Sequence, residues 1–362
     1  MLATTEGSAD YRRMMGGFSA CRTDALGGRI LRCPECGTRV VQYNRCNLRG
    51  CPRCAVGRQQ QWRAQMAGHI LETDHFHLTF SGPDSLVPLW LTDKRRVMDV
   101  LFAAASTTVS QFATAAQLTV GFTMVFHSHA RGLSFKPHIH CLLTAGGLDA
   151  HEQWQPWKTI AENTLCARFR SHMRRRLSLL DTDAARRVLD SDTEHDWQVY
   201  CVYHRESGTA VVDYLSRTLF GYLIDPRLHH EQTQTTITLS ETHDGRITRT
   251  TLTRGEFIYR YFAHIPPPGA TTIRHYGLYS PRLARLRERL TRQPQHTATT
   301  DDSQHTSVVS QRQCPDCYAE MVVGVTFSFD QLPPVLQLYR MTRGSPCPHQ
   351  HRLSPITSRE PA

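Results

Sequence analysis

The sequence has 362 residues, of which 40% are hydrophobic and 9% aromatic, so the chain is globular and can bury a sizeable core. Basic residues exceed acidic ones by ten and are mostly arginine, which favours nucleic acid as a partner, although a solvated basic face would give the same balance. No stretch is apolar over the length of a membrane span, and Met1 to Asp10 lacks a signal-peptide pattern, so we expect a cytoplasmic protein.

Nine of the twelve cysteines lie in two clusters, one near each end of the chain. In a reducing cytosol, closely spaced CxxC pairs are typical of zinc ligands rather than disulfides. The N-terminal cluster predicts one zinc ion in a zinc-ribbon-like module, held by Cys33, Cys36, Cys51 and Cys54. Cys21 and Cys46 are left as alternative ligands, second-site ligands or buried thiols.

Three arginines, Arg45, Arg49 and Arg53, alternate with these cysteines. A module too small for a large core must leave them outside, where they can contact phosphates. We therefore expect residues 1–70 to form a zinc-binding, DNA-recognition domain.

The next predicted elements are a helix from Gln59 to Leu71, a strand from His75 to Phe80 and a helix from Lys94 to about Gln117. Asp93 is the expected N-cap of the long helix, and its buried stripe is predicted to contain Val97, Val100, Leu101, Ala104, Val109 and Phe112. These apolar residues are assigned to the core.

Two strands, Val120 to Phe126 and Phe135 to Leu143, are predicted to form a hairpin. The second strand contains His138 and His140, whose side chains point to the same face because strand residues alternate. Two imidazoles on one rigid strand can chelate a divalent ion, although an H-x-H pair on a half-buried sheet surface is the competing interpretation.

A basic helix is predicted from Glu152 to Leu180, then a strand from Trp197 to His204 and a helix from Ala210 to Phe220. On the last helix Tyr214 shares a face with Arg217 and Thr218, so it could present a nucleophile to a phosphate. A normally packed tyrosine is the alternative. The expected fold is α+β, an antiparallel sheet with helices on one face, the histidines on a central strand and Tyr214 on a facing helix.

The C-terminal region begins with a polar stretch that predicts a flexible linker over residues 291–312. It is followed by a Cys/His segment, residues 313–362, with a possible second zinc site at Cys314, Cys317, Cys347 and His349. No P-loop motif is present in the sequence, which argues against an ATP-driven motor.

Four stretches occur in the order typical of one protein family, namely Cys21–Gly28 leading to Tyr43–Cys54, Phe135–Gly147, Tyr214–Arg217, and Glu256–His264 followed by Ile273–Leu278. On these stretches the sequence resembles the bacterial rolling-circle transposases of the insertion sequence 91 family, which are HUH enzymes. The resemblance covers roughly residues 15–285. It implies a zinc-binding domain followed by a nuclease domain over residues 71–290.

The resemblance implies that Tyr214 attacks a DNA phosphate, giving a 5′-phosphotyrosine link and a free 3′-hydroxyl. It also implies that His138 and His140, with His127 as third ligand, bind Mg²⁺ or Mn²⁺. The implied partner is DNA, chiefly the single-stranded ends of the element. Arg217 and Arg274 lie in the resembling stretches, and we expect both to contact DNA.

The sequence departs from the family pattern at several positions. Thr218 stands where many members have a second tyrosine, which predicts a single-tyrosine enzyme. Arg29, Gly50 and Lys136 replace histidines that the family usually has. These changes leave open a zinc-containing DNA-binding protein that has lost cleavage. A plasmid-type replication initiator, which uses the same HUH and tyrosine chemistry, is the second alternative.

Overall fold

The computed structural model describes residues 9–130, 133–191, 193, 196–205, 211–213, 215–216, 229–243, 246–292, 313–328 and 351–353. The chain divides into two compact units. The first unit joins Met1–Cys54 with Thr300–Ala362, and the second is Ala55–Thr299. The boundary expected after residue 70 thus falls inside the second unit, and the C-terminal residues group with the N-terminal ones.

The helices are α1 (Ala9–Ala20), α2 (Pro52–Ala67), α3 (Leu86–Thr92), α4 (Lys94–Ala115), α5 (Glu162–Ser178), α6 (Asp183–Ser191), α7 (Arg254–Ala263) and α8 (Ala284–Arg292). The strands are β1 (Gly28–Arg32), β2 (Arg39–Tyr43), β3 (His75–Ser81), β4 (Gly121–His129), β5 (Phe135–Thr144), β6 (Gly146–Leu148), β7 (Trp154–Pro156), β8 (Gln198–His204), β9 (His229–Gln232), β10 (Thr236–His243), β11 (Arg246–Thr253), β12 (Ile273–Gly277), β13 (Val322–Phe327) and β14 (His351–Leu353). Residues 211–213 and 215–216 are also helical.

The first unit contains a four-stranded sheet in the order β13-β1-β2-β14, in which all neighbours are antiparallel. Its larger apolar cluster consists of Leu31, Val40 and Met321 packed on Cys33 and Cys314. A core of this size buries little apolar surface, so the sheet needs a further source of stability.

The second unit is built on a five-stranded antiparallel sheet in the order β12-β4-β5-β3-β8. Strand β5 is therefore the central strand, as expected, and its hairpin with β4 is confirmed by the pairing of Phe126 with Ile139. The α+β fold class predicted from the sequence is confirmed.

Helices α3 to α6 cover one face of this sheet, where they pack against alternate strand residues such as Phe80, Met124 and Ile139. Helix α4 begins at Lys94 as predicted, because the Asp93 carboxylate accepts a hydrogen bond of 3.0 Å from the Arg96 amide. The predicted apolar stripe of α4 lies in this core, with its last member only partly buried.

The opposite face of the sheet is covered as well, by residues of the helix that was expected to face the histidines and by α2, whose position there was not predicted. Trp62 and Met66 of α2 pack there with Val211, Val212 and Leu215. The reason is that Val125 and Leu142, on β4 and β5, are apolar on this side too and need a partner layer.

Two further predictions need correction. The helix expected from Glu152 begins only at Glu162, because β7 first pairs with β6 around a turn in which the Asp149 carboxylate accepts two backbone hydrogen bonds. The helix expected from Gln59 starts earlier, at Pro52, a residue suited to the first helical turn.

A third sheet, the antiparallel β9-β10-β11, was not predicted, because its threonine-rich strands lack an apolar alternation over most of their length. Among the described residues, no helix is long and apolar enough to cross a membrane.

Candidate functional site

The candidate site lies on the face of the five-stranded sheet opposite helices α3 to α6. Along β5, Ile139 and Cys141 point into the core, so His138 and His140 point the other way. His127 of β4 pairs directly with His138, which brings its imidazole onto the same face. The hairpin thus gathers the three histidines that the family resemblance implied.

The three imidazoles are close enough to share one ion. Their candidate ligand nitrogens all lie within 4.8 Å of one another, and the His138 and His140 Nε2 atoms are 3.1 Å apart. Two nitrogens bound to one metal at about 2.1 Å would be separated by roughly 2.9–3.4 Å, depending on geometry. The observed spacing falls in that interval.

Both ring nitrogens of His127 are buried without a hydrogen-bond partner. Leaving such groups unpaired is costly, and a metal ion would satisfy one of them. Burial lowers the pKa of His138 to about 4, and burial together with the neighbouring imidazoles holds the pKa of His127 and of His140 well below 6.5. The imidazoles are therefore neutral at pH 7, the form that coordinates a metal.

The two histidines of β5 each have a partner at Nδ1. His138 Nδ1 lies 2.6 Å from the Lys136 carbonyl oxygen, so it carries the proton and leaves Nε2 with a lone pair. His140 Nδ1 lies 2.9 Å from His77 Nε2 and 3.3 Å from Thr79 Oγ1. Both β5 histidines can therefore present Nε2 to the same point.

His77 is a site residue that the sequence analysis missed. It lies on β3, which pairs with β5, so its ring is on the histidine face and stacks on His140 with centroids 5.1 Å apart. The available signal was a second H-x-H pattern, His75 and His77, in a predicted strand.

Tyr214 and Arg217 lie outside the described residues. The described residues around position 214 pack on Val125 and Leu142. Val125 of β4 is paired with His140, and Leu142 follows His140 by two residues on β5. Two contacts tie this segment to α2, the Arg63 to Asp213 ion pair at 2.7 Å and the hydrogen bond from Gln59 to the Ser216 hydroxyl at 3.3 Å.

The cysteines of the first unit form two groups of four rather than one. One group consists of Cys21, Cys46, Cys51 and Cys54, and the other of Cys33, Cys36, Cys314 and Cys317. The grouping of Cys33 and Cys36 with Cys51 and Cys54 was therefore wrong. Strand β1 pairs with both β2 and β13, which brings the Cys33–Cys36 turn next to the Cys314–Cys317 turn. The Cys51–Cys54 turn lies beside Cys21 instead, with the Cys21 and Cys54 Sγ atoms 3.4 Å apart. Cys347 and His349 lie outside the described residues.

Comparison with known proteins gives two matches to family models. One described as "Transposase zinc-binding domain", of the IS91 type, matches residues 1–82, and one described as "Putative transposase" matches residues 121–287. The chain belongs to the insertion sequence 91 family of transposases.

Two relatives of this transposase span most of its length. It is 27% identical over 356 residues to the "Putative transposase y4qJ" of Sinorhizobium fredii (strain NBRC 101917 / NGR234), covering 88% of this chain and 89% of the relative. It is 27% identical over 288 residues to the "Transposase for insertion sequence element IS801" of Pseudomonas savastanoi pv. phaseolicola, covering 73% and 69%. No solved structure matches the chain.

The arginines expected to contact DNA fall in different environments in this transposase. Arg45 and Arg49 lie at least partly exposed beside the first cysteine group, where Arg53 donates a hydrogen bond of 2.6 Å to the Cys21 carbonyl. Arg274 of β12 pairs in register with Met124, a core residue, so it points away from the histidines. The structure thus does not bring Arg274 to the candidate site.

Proposed function

We propose that this transposase nicks and transfers single-stranded DNA by a rolling-circle mechanism, through a covalent 5′-phosphotyrosine at Tyr214. The observation that carries the proposal is the convergence of three neutral histidines on the sheet face where the residues flanking Tyr214 also pack. A metal-binding group and a tyrosine on one face are the two components that phosphate transesterification needs.

The residues that would hold the divalent ion are His127, His138 and His140. They fit the role because the nitrogens lie at ligand spacing and because the buried His127 nitrogens have no hydrogen-bond partner. When bound, the ion polarises the scissile phosphate and stabilises the leaving oxygen. Mg²⁺ or Mn²⁺ suits this chemistry, and imidazole ligands favour Mn²⁺ of the two.

In the proposed reaction the Tyr214 oxygen attacks the phosphorus atom and the bond from phosphorus to the 3′-oxygen breaks. The tyrosine proton is lost to solvent or to a nearby base, and the 3′-oxygen takes up a proton as it leaves. Because the phosphate ester is kept on the tyrosine, the 3′-hydroxyl of another strand can attack it and complete the transfer.

The role of His77 is to position His140. With its Nδ1 proton directed at His77 Nε2, His140 keeps the lone pair of its own Nε2 for the ion. A partner of this kind fixes both the tautomer and the ring orientation. We regard His77 as a positioning residue, since it acts through His140.

A single-stranded substrate is supported by Tyr200 of the edge strand β8. Tyr200 pairs with Thr79, whose side chain contacts His140, so the tyrosine lies on the histidine face. This tyrosine is 56% exposed, which is uncommon for an aromatic residue in the described part of the chain. Unpaired bases stack on exposed aromatic rings, whereas paired bases are already stacked.

The experiment uses purified full-length protein and labelled single-stranded oligonucleotides from the ends of the element, with Mn²⁺, resolved on a denaturing protein gel. Wild type is expected to give a covalent protein–DNA band that Tyr214→Phe lacks. His151, an exposed histidine of the β6–β7 turn, provides the matched control, because His151→Ala should leave the band unchanged.

A band that persists in Tyr214→Phe would contradict the proposed nucleophile. DNA binding without any band in wild type would favour a transposase copy that has lost cleavage. Cutting of plasmid origins but not of element ends would favour the replication-initiator alternative.

A further inference from the structure

The CxxC turns at Cys33–Cys36 and Cys314–Cys317, here called the two knuckles, have the same sequence pattern and the same local backbone structure. Each has the sequence Cys-Pro-acid-Cys, and in each the first cysteine amide donates to a carbonyl five residues later, with a distance of 2.8 Å in both cases. The residue after the second cysteine has positive φ in both, +76° at Gly37 and +62° at Tyr318. Each turn therefore presents two thiols in the same way.

The two knuckles face one another at distances that suit one metal ion. Cys33 and Cys317 Sγ are 3.4 Å apart, and Cys36 and Cys314 Sγ are 3.5 Å apart. Four sulfurs around zinc at about 2.3 Å would be separated by roughly 3.8 Å in a tetrahedron. A disulfide needs about 2.05 Å, so the observed contacts are not disulfide bonds.

The match to the transposase zinc-binding domain ends at residue 82, so it contains only Cys33 and Cys36 of this group. We propose that a second structural zinc ion is bound by Cys33, Cys36, Cys314 and Cys317, and that it fastens the C-terminal strand β13 to the β1–β2 hairpin. The zinc-binding module of this protein is then discontinuous, with the entire second unit inserted between its two halves.

Among the described residues, little else holds strand β13 in place. Val322, Val323 and Val325 are 52%, 45% and 52% exposed, and only Phe327 is buried among its six residues. Backbone pairing with β1 contributes, but a strand with so little apolar burial is marginal by itself. A shared zinc ion supplies the missing stability, as it does in small domains with minimal cores.

One polar contact also joins the knuckles outside the sulfur cluster. The Thr38 hydroxyl donates a hydrogen bond of 2.7 Å to the Asp316 carboxylate, which is the acidic residue of the C-terminal knuckle. Together with the register of β1 and β13, this contact fixes the approach of the two turns. The contact and the register thus hold the C-terminal thiols next to Cys33 and Cys36.

The proposal is tested by counting zinc ions per full-length chain with native mass spectrometry and elemental analysis, with His138→Ala and His140→Ala in every protein so that zinc cannot occupy the histidine site. The protein with all its cysteines should bind two. The double variants Cys33→Ser/Cys36→Ser and Cys314→Ser/Cys317→Ser should each bind one, and the quadruple variant should also bind one. Cys201→Ser removes a cysteine outside both groups and should bind two.

The quadruple variant decides whether the site is shared, because two independent sites would lose an ion for each knuckle removed. Two zinc ions in Cys314→Ser/Cys317→Ser would overturn the proposal. Cobalt substitution keeps the test decisive should a double variant fold poorly, since the wild-type spectrum must show two tetrahedral all-thiolate sites. A spectrum of only one such site in wild type would also overturn it. Neither readout depends on DNA cleavage, so failure here is distinct from failure of the proposed nuclease function.

Discussion

The histidine group and the split cysteine group bring their candidate metal ligands together in different ways. The histidines lie within one hairpin and its neighbouring strand, so sheet register alone brings them together. The Cys36 and Cys314 sulfurs meet although 278 positions separate them, and each half is a turn that cannot close a site by itself. Ligands on adjacent strands are held in place by the folded sheet. Ligands on two distant turns, by contrast, stabilise the fold when they share a metal ion.

The largest expected effect is on covalent adduct formation, when the histidine site is removed. His138→Ala combined with His140→Ala should lower covalent adduct formation by roughly three orders of magnitude, because a metal ion supplies several kcal/mol of charge stabilisation. The fold should persist, since both side chains point away from the main core. Adduct yield and circular dichroism of the same preparations check this, and loss of the fold would contradict the contrast between the two groups.

The next largest effect is expected on the local stability of the β1–β13 sheet, when Cys314 and Cys317 are removed. In Cys314→Ser/Cys317→Ser, the amides of β1 and β13 should exchange with deuterium at least about tenfold faster, because the open state of this sheet becomes more populated. Peptides containing β5 should exchange at the wild-type rate. Exchange that rises equally in both sheets would show that the cysteines do not stabilise the first unit selectively.

Removing the partner of His140 should weaken metal binding without abolishing it. His77→Ala is expected to reduce Mn²⁺ affinity about 10- to 100-fold, as loss of such an outer partner does in other metal sites. His77→Gln should recover part of that affinity by offering an amide at the same place. Calorimetry measures both, with His204→Ala as control on the same face of the edge strand. Equal affinities in wild type and His77→Ala would refute the positioning role.

A smaller effect is expected for Tyr200, because stacking on one ring is worth about 1–3 kcal/mol per base. Tyr200→Ala should weaken binding of single strands by that amount and leave duplex binding unchanged, while Tyr200→Phe should bind like wild type. Leu179, which is 77% exposed beyond the end of α5, provides a control for the loss of an exposed apolar side chain. Fluorescence anisotropy is the measurement, and an equal loss for duplex DNA would contradict base stacking.

The smallest effect on DNA is expected at Arg274, which lies on the far side of the sheet. Its guanidinium pairs with Asp99 at 2.6 Å and stacks over the Phe102 ring at 4.1 Å. Arg274→Gln should therefore lower the free energy of unfolding by about 1 kcal/mol and change DNA affinity less than about twofold. Denaturant titration and binding assays separate these outcomes. A large loss of affinity at wild-type stability would restore Arg274 as a DNA contact.

The parts of the molecule that sequence could predict are those set by local periodicity. The helix starting at Lys94 follows from its apolar stripe and its Asp93 cap, and the H-x-H hairpin follows from alternation along two strands. The turn held by Asp149 overrode helix propensity after Glu152, because its side-chain hydrogen bonds favour a different backbone.

The partners of the cysteines could not be predicted, because spacing identifies a knuckle but not the knuckle that it meets. Cys33 and Cys36 lie only a short stretch from Cys51 and Cys54, yet β1 and β2 direct them to the other end of the chain. Similarly, the H-x-H pattern of His75 and His77 could mark His77 as a candidate, but only the pairing of β3 with β5 shows that it lies beside His140. Both facts depend on long-range register, which a single sequence does not encode in any local pattern.

The central claim is that the histidine face serves a tyrosine nucleophile on the segment packed beside it. The most direct test is to trap the adduct with a single-stranded oligonucleotide and Mn²⁺, digest it, and locate the nucleotide by mass spectrometry. We expect a 5′-phosphate linked to Tyr214. Linkage to any other residue, or a protein that cuts these strands without forming an adduct, would contradict this claim.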